Sequence, residues 1–259
     1  MNKAYNECFE QICFYKNHPE YIPFVGDNFD KHRILHVGES HFVPQLKDKE
    51  DTFLIRYFEK WWSSNCTELK SFSNTDSDGY EWRGWLNTQS VVENYLLGYR
   101  TRSHGIFSEM VKVFLQVYKG ETIHHISTEV SQNYHHFAFM NFFQMPAIYK
   151  GEKFWNSLLN GAYRLELSRK DAKKYAGQVW DKAAEESSKI FDQVVDILKP
   201  NIIIFTSSSA WGAYRGKYKD ASNIIITVHP GCCYWNVPKE WQIGKVQLIE
   251  KWTALRDNK

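Results

Sequence analysis

Short continuous apolar runs recur along the chain, and each stops at a polar residue or a glycine. Ile34-Leu35-His36-Val37 ends at Gly38 and Phe137-Ala138-Phe139-Met140 at Asn141. Ile202-Ile203-Ile204-Phe205 ends at Thr206, and Ile224-Ile225-Ile226-Thr227-Val228 at His229. Runs without alternation predict strands buried on both faces, as in a parallel sheet covered by helices. Between them the period changes to that of a helix. Residues 51–62 and 107–118 carry apolar side chains at helical spacing. The clearest stretch runs from Asp171 to Lys199, with Trp180, Ala184, Ser187, Phe191, Val194 and Leu198 on one face. Lys199-Pro200 predicts its end, because proline lacks an N–H and disfavours helical geometry in the residue before it. Ser207, Ser208 and Ser209 supply an N-cap for a short helix reaching Tyr214.

Strand and helix in alternation predict an α/β protein: three α/β/α layers around a four-stranded, largely parallel sheet. The segment from Ser63 to Trp85 departs from the pattern. Its turn-rich centre, residues 71–79, is bracketed by Trp61, Trp62, Trp82 and Trp85. It predicts an aromatic-rich insertion at about 61–100 within a single domain spanning 1–259.

Composition narrows the class. With 43% hydrophobic, 16% aromatic and 24% charged residues, a disordered chain is excluded. No apolar run approaches the roughly 18–20 residues of a membrane span, so no membrane partner is expected. The stretch Met1 to Glu7 lacks the apolar region of a secretory signal, which predicts a cytoplasmic protein. Lys and Arg total 32 against 30 Asp and Glu, a formal charge of +2. That balance excludes an indiscriminate nucleic-acid coat and leaves room for one local patch. The five cysteines include no CxxC pair, so neither structural zinc nor an iron–sulfur cluster is expected, and no cofactor is required. Adjacent Cys232 and Cys233 read as small buried hydrophobes.

Ligands of open α/β sheets bind beyond the carboxyl ends of the strands. Those positions hold Gly38-Glu39-Ser40-His41-Phe42, Asn141 through Pro146, Thr206 through Trp211, and His229-Pro230-Gly231-Cys232-Cys233-Tyr234-Trp235. A glutamate, an asparagine and a histidine at successive strand ends suit water activation, recognition of a planar polar ligand and stabilisation of a developing anion. Ser40 with His229 raises a small-molecule hydrolase, although the G-x-S-x-G elbow is absent.

As an ordered set these motifs resemble the uracil-DNA glycosylase superfamily over about residues 33 to 236. Gly38-Glu39-Ser40-His41-Phe42 falls where the family has its first loop, and Asn141 follows the second strand. Lys199-Pro200 precedes an apolar third strand, and His229-Pro230-Gly231 stands at the family's His-Pro-Ser loop. The Gly-Glu-Ser-His form is similar to an uncharacterised bacterial branch. The resemblance implies a DNA glycosylase that extrudes a damaged or modified base, with DNA or a nucleobase-containing ligand as partner and no obligate protein partner. Glu39 and His229 would be catalytic, while Asn141 and Phe42 would bind the base. Gly38, Ser40, His41 and Pro230 would line the pocket. Tyr234 and Trp235 would form a wedge into the duplex if exposed, and Arg215 and Lys217 would touch phosphate. Ser40 replaces an aspartate of the most active members, His41 a proline, and Gly231 a serine. Loss of that aspartate makes a non-catalytic nucleic-acid or nucleotide-binding member the alternative.

Overall fold

A five-stranded mixed sheet of order β1-β3-β2-β4-β5 runs through the centre of the molecule, built from β1 (Phe24–Val25), β2 (Ile34–Phe42), β3 (Phe137–Ala147), β4 (Ile202–Phe205) and β5 (Ile224–Ile226). The computed structural model describes residues 1–43, 52–63, 83–99, 104–147, 153–237 and 243–257. About half of the predicted insertion, residues 64–82 and 100, therefore lies outside the described residues. The four expected strands are present and mutually parallel. The fifth, β1, pairs antiparallel with β3 through Phe24↔Phe139 and Val25↔Ala138. A two-residue edge strand leaves too little pattern to read in advance, which is why a four-stranded sheet was expected.

Helices cover both faces. On one side lie α1 (Thr88–Leu96), α2 (Gly105–Lys119) and, near the carboxyl terminus, α6 (Lys245–Asp257); on the other lie α3 (Phe154–Arg164), α4 (Arg169–Leu198) and α5 (Ser208–Ala213). Strand alternation divides the core accordingly. Ile34, Phe137, Phe139, Ile202 and Ile204 pack with Phe107, Phe114 and Trp252. Leu35, Val37, Ala138, Met140, Ile203 and Phe205 pack with Val179, Phe191 and Val194. The predicted long helix is present almost as read. It ends at Leu198, with Lys199 turned into left-handed geometry at φ 46° before Pro200. Ala172, Ala176, Ala183 and Ala184 are buried along it, so small side chains let the helix lie close to the sheet.

Two strands are longer than their apolar runs. Past Val37, whose partner Phe205 ends β4, β2 and β3 continue to pair with each other through Gly38↔Asn141, Ser40↔Phe143 and Phe42↔Ala147. The register shifts between Ser40 and Phe42. Gly38 to Phe42 and Asn141 to Pro146, expected as loops after the strands, are therefore strand residues. Backbone pairing carries the ladder through polar positions that break the apolar signal. The four parallel strands run second-first-third-fourth, which puts the topological switch point between β2 and β4.

Candidate functional site

At that switch point the end of β2 meets the start of α5. Glu39 leaves β2 toward the α3–α5 face, where both carboxylate oxygens are held. Oε1 accepts from the Phe154 N–H at 2.7 Å and Oε2 from the Ser207 hydroxyl at 2.6 Å. The preceding residue of α3, Lys153, offers no side-chain cap. Glu39 thus satisfies an orphan N–H of that helix from a distant strand, with its negative charge at the positive end of the helix dipole. Ser207 is the N-cap of α5 as predicted, accepting from Ala210 N–H at 3.2 Å while it donates to Glu39. The cap was legible in the sequence; the bond to Glu39 was not, because 168 residues separate the two.

Asn141 stands beside Gly38 in the β2–β3 register. A Cβ on Gly38 would lie 2.3 Å from Asn141 Oδ1 and 3.2 Å from the Phe139 ring, so only glycine leaves room for the amide. Asn141 is 8% exposed, and among the described residues its side-chain amide makes no hydrogen bond. Its polar atoms are not sealed from solvent. Its backbone carbonyl is gripped by Gln144 Nε2.

His229 follows β5. The Gly231 N–H donates to its Nδ1 at 3.0 Å, so in the neutral ring Nε2 carries the proton. His229 is exposed to solvent, yet the surrounding protein makes charging costly. Desolvation lowers its pKa, and the nearby Glu39 carboxylate opposes that shift without cancelling it. The result is a neutral imidazole with an Nε2–H that no described residue takes up.

Beneath it His36 is fully buried, its Nδ1 2.6 Å from Tyr134 Oη and its Nε2 3.1 Å from Thr206 Oγ1. Thr206 gives its own proton to the Val37 carbonyl, so His36 donates through Nε2 and accepts from Tyr134. Burial, with a smaller contribution from His229, pushes the His36 pKa down to about 3. Glu39 and His229 thus lie close enough to interact electrostatically, with the buried His36 near His229. Asn141, beside Gly38 and the Phe139 ring, stands on the opposite face of the sheet from Glu39.

The remaining predicted positions divide. Ser40 is half-buried and makes no side-chain hydrogen bond among the described residues. His41 is buried, 2.8 Å from Thr88 Oγ1 and edge-on to Tyr21. Phe42 packs against the α3–α4 side of the core, and Pro230 is buried. Trp235 is not a surface wedge. It is 2% exposed, donates from Nε1 to Glu109 Oε2 at 2.8 Å and accepts Lys245 N–H through its carbonyl. An indole with one polar edge suits a core position that offers a carboxylate, and here it pins the loop after His229 to α2 and α6. Tyr234 is half-buried. Cys232 is half-buried and Cys233 exposed, correcting the expectation of a buried pair.

Arg215 and Lys217 are already paired with α4, Arg215 with Asp181 at 2.7 Å and Lys217 with Asp196 at 2.6 Å. Asp196 lies two residues before the end of α4, toward the amino end of β4 and away from Glu39 and His229. Among the described residues no three His, Cys, Asp or Glu side chains converge as metal ligands, and no helix is long and apolar enough to cross a membrane. Compared with protein-family models, curated proteins and solved structures, the chain matches none.

Proposed function

We propose that the protein hydrolyses the N-glycosidic bond of a damaged or modified base in DNA, acting on a nucleotide turned out of the stack. The observation that carries this reading is a pair of uncommitted groups, one within β3 and one after β5. One is the Asn141 amide, which offers a donor and an acceptor; the other is the Nε2–H of a neutral His229. A nucleobase edge needs the first. The second stabilises the negative charge that collects on a base carbonyl as the C1′–N bond breaks and its electron pair moves into the ring. Water then adds to the sugar cation at C1′ and loses a proton to solvent or a carboxylate, while the departing base takes up a proton.

In this reading Glu39 serves the sugar. Its two bonds leave further lone pairs on each oxygen, enough to orient a water or to face the oxocarbenium-like sugar. Gly38 keeps the amide of Asn141 in place, and Gly38→Ala is expected to displace it.

The second reading is a non-catalytic nucleic-acid or nucleotide-binding protein. It is favoured by Ser40 at the aspartate position and by the commitment of both Glu39 oxygens to internal donors. The hydrolase reading has less support, because Ser40 has no histidine within hydrogen-bond reach to act as its base.

Incubation with single- and double-stranded oligonucleotides carrying uracil, hypoxanthine, xanthine or alkylated bases, followed by detection of abasic sites, tests the proposal. Product is expected from at least one substrate and is expected to vanish in Asn141→Ala and His229→Ala. No product on any of them, with DNA binding that survives both substitutions, overturns catalysis in favour of the binding protein.

A further inference from the structure

Ser207 and the first turn of α3 have no part in the chemistry outlined above, yet together they account for both oxygens of Glu39. The Phe154 N–H comes from a helix with no cap of its own, and the Ser207 hydroxyl from a residue 4% exposed. Ser207 has its hydrogen-bonding capacity divided between two partners, since its proton goes to Glu39 while a lone pair takes Ala210 N–H. The neighbouring Thr206 is fixed in turn by His36 and the Val37 carbonyl. A freely rotating glutamate has three side-chain torsions and samples many positions; a carboxylate held from two sides by rigid donors has few.

We propose that Ser207 is a positioning residue of the site: its hydroxyl, working with the amino-terminal N–H of α3, fixes the Glu39 carboxylate across the switch point between β2 and β4. This rests on the base-excision reading for its catalytic consequence, but not for its geometry. Loss of the hydroxyl frees Oε2 and lets the carboxylate turn back toward the α3 N-terminus, away from His229. Misplacement of this kind lowers turnover more than substrate binding, because the group acts on charge that develops in the transition state.

The cap role of Ser207 has to be separated from its role toward Glu39. Glycine is tolerated at an N-cap and has no hydroxyl, so Ser207→Gly removes the donor while largely preserving α5. Ser207→Thr keeps the hydroxyl. The readout that a merely structural role would not move is the titration of His229, followed through its ring nitrogens by NMR, since the Glu39 carboxylate holds that midpoint up. The expected result is a lower His229 midpoint in Ser207→Gly, a similar lowering in Glu39→Gln, no further change in the double variant, and recovery in Ser207→Thr. Where glycosylase activity is found, Ser207→Gly lowers kcat roughly tenfold with KM within about twofold of the parent. A His229 midpoint that moves in Glu39→Gln but not in Ser207→Gly overturns the proposal, as does one that moves in neither. If the unaltered protein excises no base, the base-excision reading falls, while the titration still decides whether Ser207 sets Glu39.

Discussion

The two ends of the sheet both gather histidines whose pKa values are depressed, and only one of them looks like a site. At the amino end, His32 precedes β2 and His136 precedes β3. Their rings lie 4.8 Å apart, His32 against Tyr118 at 4.2 Å and His136 stacked on Phe114 at 4.8 Å. Desolvation is the first cause of both shifts, carrying His136 down to about 4. At the carboxyl end His229 is depressed for the same reason. The difference is what the rings can still do. The amino-end rings are spent on aromatic packing, whereas His229 has its Nδ1 fixed by a backbone N–H and its Nε2–H left for a ligand. A perturbed histidine marks desolvation; an oriented donor near a held carboxylate marks chemistry.

The largest effect is expected at the packed end. Phe114→Ala removes the ring under His136 and against Phe137, and is expected to cost about 3–5 kcal/mol in denaturant-induced unfolding. A loss below about 1 kcal/mol would show that the amino-end cluster is not structural. His229→Ala inverts that outcome. It is expected to leave the unfolding midpoint nearly unchanged and, under the base-excision proposal, to slow base release by about 10²–10³-fold, the usual consequence of losing an anion-stabilising donor. Equal losses of stability at the two histidine clusters would erase the distinction drawn here.

The pH dependence sharpens it. His136 and His36 titrate in the folded protein near 4 and 3, against about 6.5 when unfolded. Below about pH 6.5 the unfolded chain therefore binds protons that the folded chain refuses. Stability falls as pH drops, until these rings charge in the folded state as well. His136→Phe keeps the stack on Phe114 and removes one titrating ring. It is expected to reduce the fall between pH 6.5 and 4 by about 1 kcal/mol, a figure set below the full shift because solvent partly screens the ring. Thermal or denaturant unfolding across that range measures it. The smallest effect is expected at Lys217, whose exposed pair with Asp196 lies away from Glu39 and His229. Lys217→Ala is expected to leave the unfolding midpoint unchanged and, under the base-excision proposal, the salt slope of DNA binding too; a shallower slope would make Lys217 a phosphate contact.

Burial period and backbone chemistry are local, so the parallel strands, the long helix with its stop at Lys199-Pro200, and an N-cap within Ser207 to Ser209 could be read from the sequence. It also set Glu39, Asn141 and His229 just past apolar runs, since chain order fixes which residue follows which run. Only the tertiary structure decided the rest. Pairing between β2 and β3 turned two expected loops into strand, and the antiparallel edge strand was too short to carry a pattern. Trp235 went to the core because Glu109, far away in the chain, gave its indole a partner. Arg215 and Lys217 were drawn to acids on α4 that no local reading could assign to them. The grip on Glu39 joins β2, α3 and the start of α5. Hydrogen-bond partners distant in sequence are set by how strands and helices pack, and packing is not written in any one stretch of the chain.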